Sequence, residues 1–151
     1  MILYVDASAI VAIVGSEPAS SVVEAALDTD GVVAVVSDLA IAESSAALAR
    51  NGRVRRWSAN AMQAFYSDLD VWASDAADAV ALNPVDVDLA TDFVRRPEVS
   101  LRAPDAIHLA AAHRLGATLL TLDRGMARAA AALGVSCINP AEAVAPGDPK
   151  D

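Results

Sequence analysis

The chain of 151 residues has few of the side chains on which several common kinds of protein site depend. It contains a single cysteine, Cys137, so no intramolecular disulfide can form, and a packed core thiol is its expected role. No Cys/His cluster of the kind that holds structural zinc is present. An intramolecular disulfide is therefore excluded, and structural zinc is not expected.

Long apolar runs and a targeting signal are also missing. No stretch reaches the ~18 uncharged apolar residues that a membrane-spanning helix needs. Residues 1–14 are apolar, but Asp6 interrupts them, and no lysine or arginine precedes Arg50 to form the charged start of a signal peptide. We therefore expect a cytoplasmic protein without a membrane partner.

Composition favours one domain of closely packed helices against a sheet. The chain is 55% hydrophobic but only 4% aromatic, so small aliphatic side chains must fill the core. The net charge of −9 argues against general attraction to DNA or to anionic membranes. It does not exclude a nucleic-acid substrate, because bound cations and a local arginine patch can dominate the field at one cleft.

Short apolar runs alternate with longer helical patterns. The predicted strands are Ile2–Val5, Val32–Val36, Val80–Leu82, Thr118–Leu120 and Ser136–Ile138. The predicted helices are Ser8–Val14, Ala19–Leu27, Leu39–Arg50, Arg55–Asp68, Val87–Arg95, Pro104–Leu115 and Arg124–Leu133. This alternation predicts an α/β fold, a three-layer α/β/α sandwich with a mainly parallel central sheet. We expect a helical arm between about 38 and 72, one domain over 1–145, and a flexible tail at 146–151.

Four acids stand where apolar or small residues would normally be found. Asp6 and Asp123 end apolar runs, Glu43 interrupts an apolar helix face, and Asp105 precedes the apolar segment 106–112. Acids are rarely buried unless they are paired or bound to a metal. Two carboxylates ~4 Å apart repel by roughly 4 kcal/mol at an effective dielectric near 20. If the fold gathers these four, a divalent cation is the expected counter-charge.

Three of the four acids also have an ordinary structural interpretation. Asp6 and Asp123 are placed to cap the helices that follow them, and Asp105 suits the positive first turn of its helix. Glu43 has no capping role, since it lies within a predicted helix. The remaining acids, Asp86 among them, are expected to be solvated. The four acids together, rather than any one of them, therefore indicate a functional site. The carboxyl ends of parallel strands lie at one edge of the sheet, where ligands bind, so acids that follow two such strands can meet there.

Four short motifs carry a family resemblance. They are Val5-Asp6-Ala7-Ser8, Ile41-Ala42-Glu43, Pro104-Asp105-Ala106-Ile107-His108-Leu109-Ala110 and Thr121-Leu122-Asp123-Arg124. In this order they resemble the PIN-domain ribonucleases and, more narrowly, the VapC-type toxins of bacterial toxin–antitoxin pairs, over Ile2 to about Ala143. The resemblance implies that Asp6, Glu43, Asp105 and Asp123 are the catalytic residues and the ligands of Mg²⁺ or Mn²⁺. It also implies that Ser8 and Thr121 support these ligands or the metal-bound water.

The activity expected from this resemblance is endonuclease cleavage of RNA by a metal-activated water that leaves a 5′-phosphate. Oxygen-only ligands suit Mg²⁺ or Mn²⁺ rather than zinc. Family members often carry one more acid after the last motif, and the segment 124–128 has none, so one or two ions remain open. The expected partners are the RNA substrate, a cognate antitoxin protein and a second copy of the chain in a homodimer.

Arginines and histidines leave alternatives open. Arg102 and Arg124 are the first candidates for gripping phosphate, because each neighbours a predicted ligand. The arginines at 50–56 surround Asn51-Gly52, the presumed helix–helix corner, and either bind phosphate or are simply solvated. His108 shares a helix face with Asp105 and is either a supporting residue or a packed core histidine. The aromatic side chains of 55–72 line either a dimer or antitoxin groove or the core.

Two other classes of function compete. A phosphotransferase of haloacid-dehalogenase type also ends its first strand with an aspartate, but it needs a second acid where this chain has Ser8. A receiver domain would need a lysine after its acids, and the only lysine here is Lys150. A non-catalytic, PIN-like interaction module is the other alternative.

Overall fold

A computed structural model describes residues 1–143 of the chain, and its centre is a parallel sheet. In chain order the described strands are β1 (Ile2–Val5), β2 (Val33–Ser37), β3 (Asp78–Val80), β4 (Thr118–Leu120) and β5 (Cys137–Ile138). Their spatial order is β3-β2-β1-β4-β5, and every neighbouring pair is parallel. The chain moves outward from β1 to β3 and returns to the other side of β1 at β4. Strand order therefore reverses beside β1, the place where such sheets bind ligands.

Helices cover both faces of this sheet. They are α1 (Ala7–Val14), α2 (Ser20–Leu27), α3 (Asp38–Arg55), α4 (Ala59–Asp75), α5 (Pro84–Val94), α6 (Ala103–Arg114), α7 (Arg124–Leu133) and α8 (Pro140–Ala143). Side chains of β1 alternate between the faces: Leu3 and Val5 belong to the core under α1–α4, and Tyr4 belongs to the core under α5–α7. The predicted α/β/α sandwich is confirmed.

The helical arm differs from its predicted boundaries. Helix α3 continues through Gly52 to Arg55, so the corner expected at Asn51-Gly52 is wrong. A side chain at Gly52 would collide with Met62 of α4, so this glycine serves close helix packing. The corner lies at 56–58, where Arg56 adopts a left-handed backbone conformation and Ser58 caps α4.

Aromatic residues of the arm belong mostly to the core. Phe65, Tyr66 and Trp72 pack against the buried cluster under α1–α4. Trp57 stacks on Phe65, with ring centroids 4.3 Å apart. These contacts favour the core interpretation of the arm's aromatics over a dimer or antitoxin groove.

Asp86 is not solvated, which corrects the expectation from sequence. It is 1% exposed, and Arg114 donates to it from Nε to Oδ1 (2.6 Å) and from Nη2 to Oδ2 (2.9 Å). The backbone N–H of Asn83 donates to Oδ2 at 2.8 Å. Burial alone would raise the pKa of Asp86, but these hydrogen bonds and the Arg114 charge outweigh it and lower the pKa. The pair ties the start of α5 to the end of α6.

Among residues 1–143, no helix has the length and apolarity to span a bilayer. The tail predicted at 146–151 lies outside the described residues.

Candidate active site

Two of the four acids lie directly after neighbouring strands. Asp6 follows β1 and caps α1 by accepting from the Ala9 N–H, whereas Asp123 follows β4 and caps α7 by accepting from the Met126 N–H. Because β1 and β4 are adjacent and parallel, both carboxylates lie at one edge of the sheet. The capping interpretation is therefore correct as geometry, and it does not compete with a role at the site.

All four acids line one cleft of about 490 Å³ at this edge. Glu43 reaches the cleft from α3, and Asp105 reaches it from the first turn of α6. Ser8 and Arg102 line the same cleft, so the fold brings six of the eight predicted site residues to one wall. Those six are Asp6, Ser8, Glu43, Arg102, Asp105 and Asp123.

The other two predicted residues have different positions. Thr121 is fully buried behind the cleft, in hydrogen-bond contact with Asp6. Arg124 does not line the cleft; its Nε lies 3.2 Å from Glu142 Oε1 in an ion pair, and its side chain is 75% exposed. The structure therefore gives the proposed phosphate role of Arg124 no geometric support.

Two hydroxyl groups hold the carboxylate of Asp6. Oδ1 accepts from Ser8 Oγ at 2.8 Å and from the Ala9 N–H at 3.1 Å, and Oδ2 accepts from Thr121 Oγ1 at 2.8 Å. The same hydroxyls accept backbone N–H groups of the turn after β4, from Leu122 and Asp123. Burial raises the pKa of Asp6, although these hydrogen bonds oppose the shift. Within residues 1–143, no cationic side chain hydrogen-bonds to it.

A hydrogen-bond chain that starts under the sheet ends at Glu43. Tyr4 Oη lies 2.6 Å from Ser37 Oγ and 2.9 Å from His108 Nδ1. His108 Nε2 lies 2.5 Å from Glu43 Oε2. Tyr4, Ser37 and His108 are all buried, and burial raises the pKa of Tyr4, so the phenol stays protonated. His108 is therefore in contact with a predicted ligand, and it is also a packed core residue.

The partners fix the direction of this chain. An ionised Glu43 accepts, so Nε2–H of His108 must donate to it, and a neutral ring then accepts at Nδ1 from Tyr4 Oη–H. Because Tyr4 uses its own proton at His108, Ser37 Oγ donates to Tyr4 Oη while it accepts from the Ala40 N–H. The His108 hydrogen bond is the main reason that the pKa of Glu43 is lowered. This series of hydrogen bonds thus holds one oxygen of Glu43 in place and keeps the Glu43 carboxylate ionised.

Arg102 supplies the positive charge at the cleft. Its Nε and Nη2 donate to Oδ2 and Oδ1 of Asp105 at 3.0 and 3.2 Å. The pKa of Arg102 is raised, first by Asp105 and also by the charges of Asp123 and Glu43. The guanidinium group is therefore close enough to three of the acids to offset their repulsion.

As the side chains stand in residues 1–143, no three of the potential ligands are close enough to hold one ion. Their chemistry nevertheless fits Mg²⁺ or Mn²⁺, because the cleft is lined by five carboxylates, the four predicted ligands and Glu17, and by no cysteine or histidine. One of them, Asp6, is buried without a cationic partner. Binding would require side-chain rotation and release of Asp105 by Arg102.

Sequence reasoning missed Tyr4 and Ser37. A signal exists for Tyr4, because a phenol in an otherwise aliphatic strand needs a hydrogen-bond partner when buried. Tyr4 also precedes Asp6 by two residues, the interval at which side chains along an extended strand share one face. Ser37 has only the general signal of a helix cap, since its hydroxyl accepts at the start of α3.

Comparison with known proteins agrees with this arrangement. The family model described as PIN domain matches residues 3–132. The fold is similar to that of VapBC2 from Rickettsia felis bound to a DNA fragment from their promoter, with TM-score 0.70 and 15% identity over 92% of this chain and 98% of that chain. No curated protein sequence matches the chain significantly.

Two further solved structures share the fold. VapC20 of Mycobacterium tuberculosis, a sarcin-ricin loop cleaving toxin, has TM-score 0.65 and 17% identity over 84% of this chain and 94% of that chain. FitAcB from Neisseria gonorrhoeae has TM-score 0.67 and 19% identity over 93% of this chain and 98% of that chain. Identities this low show the fold alone.

Proposed function

The chain belongs to the PIN-domain family, and from that membership we propose that it is a divalent-metal-dependent endoribonuclease and the toxin of a toxin–antitoxin pair. The observation that supports this proposal most directly is the meeting of Asp6, Glu43, Asp105 and Asp123 in one cleft where strand order reverses. Four acids from four separate regions of the chain gain nothing structurally from sharing a cleft, and their repulsion must be balanced.

Each residue of the cleft has a distinct task in this proposal. The four carboxylates would hold Mg²⁺ or Mn²⁺, which when bound activates a water and offsets negative charge on the phosphodiester. Ser8 and Thr121 fix both oxygens of Asp6, and His108 fixes Glu43. Arg102, once it leaves Asp105, presents a planar fork that binds two phosphate oxygens.

The toxin assignment is supported by the relatives that share the fold. VapC20 is described as a sarcin-ricin loop cleaving toxin, and VapBC2 and FitAB have been solved bound to DNA. By this likeness we propose that RNA is the substrate and that a cognate antitoxin is the protein partner. The predicted homodimer belongs to the same proposal.

One experiment tests the activity directly. The purified chain, free of antitoxin, is incubated with total RNA in Mg²⁺, in Mn²⁺ or in chelator, and new RNA ends are mapped. The expected result is cleavage only with a divalent ion, at defined positions, leaving 5′-phosphate ends. Cleavage that persists in chelator would remove the metal from the proposal.

The ion pair between Arg102 and Asp105 favours a second candidate, a non-catalytic interaction module, because it balances part of the cleft's charge without a metal. Calorimetric titration with Mn²⁺ separates the two candidates. An interaction module need not bind the ion or cut RNA. An aspartate-based phosphotransferase would instead trap beryllium or aluminium fluoride at Asp6.

A further inference from the structure

The sequence between Glu43 and Asp68 contains no acidic residue, although 20 of the 151 residues are acidic. This stretch carries four of the ten arginines, at positions 50, 53, 55 and 56. In a chain of net charge −9, positive charge is therefore concentrated in one short segment. A concentration of one charge sign costs repulsion and calls for a partner of opposite charge.

Helix α3 connects this segment to the acid cleft. Arg50 lines the cleft itself, on the same helix as Glu43. Arg53 and Arg56 line an adjoining pocket of about 380 Å³ between α3 and α4. The rise of an α-helix places Arg50 roughly 10 Å and Arg53 roughly 15 Å beyond Glu43 along the axis.

Arg50, Arg53 and Arg56, here called the arginine ridge, follow one another at intervals of three residues. Arg50 and Arg53 are neighbours on the surface of α3, and Arg56 follows at its C-terminal cap. All three are exposed, and within residues 1–143 none of them forms a salt bridge. By contrast, Arg96, Arg102, Arg114 and Arg124 each pair with an acid. The ridge therefore keeps its charge available to a ligand.

We propose that the arginine ridge binds the phosphates of the RNA strand that enters the cleft, a few nucleotides from the phosphate held at the acids. This inference rests on the proposed function and adds the path of the substrate. An RNA strand that lies across Glu43 and Arg50 and continues along α3 reaches Arg53 and then Arg56. Base stacking on Trp57 is not involved, because Phe65 covers one face of its ring and Arg55 lies over the ring.

Arg55 provides a matched control. It lies in the same turn as the ridge and carries the same charge, but it lines neither the cleft nor the adjoining pocket. Its guanidinium carbon lies 5.7 Å from the centroid of the Trp57 ring. Any effect of general positive charge at this end of α3 should thus be seen in Arg55→Gln as well.

The test measures binding of a short, fluorescein-labelled single-stranded RNA by anisotropy over a range of salt concentrations. The full chain carries Asp6→Asn to prevent cleavage, with or without Arg50→Gln, Arg53→Gln and Arg56→Gln together. Each lost phosphate contact should lower the slope of log K against log salt by about 0.7, so the triple change should lower it by about 2. Affinity should fall about 10-fold or more, whereas Arg55→Gln should change neither quantity.

The outcomes separate the ridge from the activity. If the folded triple variant shows an unchanged salt slope and affinity, the ridge does not bind the RNA. Divalent-dependent cleavage by the unaltered chain would then still support the endoribonuclease activity. Ridge-dependent binding without any cleavage by the unaltered chain would support the ridge and reject the endoribonuclease. Displacement of the RNA by poly-glutamate as readily as by unlabelled RNA would identify the ridge as a docking site for acidic protein and overturn the proposal.

Discussion

Asp6 and Asp86 are both buried carboxylates at the start of a helix, and their surroundings differ in one respect. Asp86 is enclosed by a charged partner, since Arg114 donates two hydrogen bonds and Asn83 a third. Asp6 is held by two hydroxyls and one amide, and it borders a cleft shared with four other acids. The chain thus balances one buried charge internally and leaves the other to be balanced from outside.

The pKa values of the two groups differ in the same sense. Burial raises the pKa of Asp6, whereas Arg114 and the Asn83 N–H lower that of Asp86. An internal cation balances the charge of a buried acid within the fold. A buried acid without a cation lowers the stability of the fold, and such groups are concentrated at functional sites. Exposure alone, 2% and 1%, would not have distinguished them.

The largest expected effect separates the two acids by activity. Asp6→Asn should lower RNA cleavage at least 100-fold, because it removes a charged ligand while keeping the shape of the side chain and the hydrogen bonds to one of its oxygens. Asp86→Asn should leave the cleavage rate per folded molecule unchanged. Initial rates with a labelled RNA, normalised to the folded fraction, measure both. Equal losses in the two variants would erase the distinction.

The next effect separates them by stability. Arg114→Met should lower the free energy of unfolding by about 3 kcal/mol, because it leaves Asp86 buried and unpaired. Arg96→Met is the control, since Arg96 and Glu98 form an exposed pair and its loss should cost under about 1 kcal/mol. Urea unfolding followed by circular dichroism compares the two. If Arg114→Met lowers the free energy of unfolding no more than Arg96→Met does, the Asp86–Arg114 pair does not hold α5 against α6.

A smaller effect concerns the orientation of Glu43. His108→Leu should weaken Mn²⁺ binding, measured by calorimetry, about 10-fold, because Glu43 loses its only hydrogen bond in the described structure. His108→Gln should recover part of the affinity, since its amide can donate to Glu43 and accept from Tyr4. In the unaltered chain, ¹⁵N chemical shifts should show Nδ1 of His108 unprotonated at neutral pH. A protonated Nδ1 would reverse the chain of hydrogen bonds.

The smallest expected effect is the pH dependence of stability in chelator. The lowered pKa of Asp86 stabilises the fold above the unfolded value near 4, and this contribution is lost as pH falls through the folded pKa. The raised pKa of Asp6 acts oppositely, favouring the fold at low pH and less as pH rises. As pH falls from neutral to acid, the free energy of unfolding measured with urea should therefore decrease less steeply in Asp86→Asn than in the unaltered chain. In Asp6→Asn it should decrease more steeply. The same change of slope in both variants would contradict the assignment.

Much of the architecture could be predicted because it depends on short-range patterns. The runs Ile2–Val5 and Thr118–Leu120 became strands as predicted, and β1 and β4 are the neighbours that bring Asp6 and Asp123 to one edge. The end of α3 was missed because Gly52 was interpreted as a turn residue. Its role depends on Met62 of another helix, which no local pattern contains.

The acids of the cleft could be predicted, but their partners could not. The roles of Asp6, Glu43, Asp105 and Asp123 remain predictions, although the structure brings all four to one cleft. The Asp86–Arg114 pair spans 28 positions and the His108–Glu43 contact spans 65, so both depend on how α3, α5 and α6 pack. Separations of this kind are decided by tertiary structure rather than by periodicity or capping.

The exposed arginine beside Asp105 affects how the protein exists before any metal arrives. Arg102 is 78% exposed, and ion pairs of such residues contribute at most about 1 kcal/mol, so exchanging the guanidinium for another cation costs little. In the proposed enzyme, the polypeptide can therefore fold before the divalent ion binds. Removal of the ion with a chelator should then abolish the proposed cleavage activity without unfolding the protein. Readdition of the ion should restore that activity.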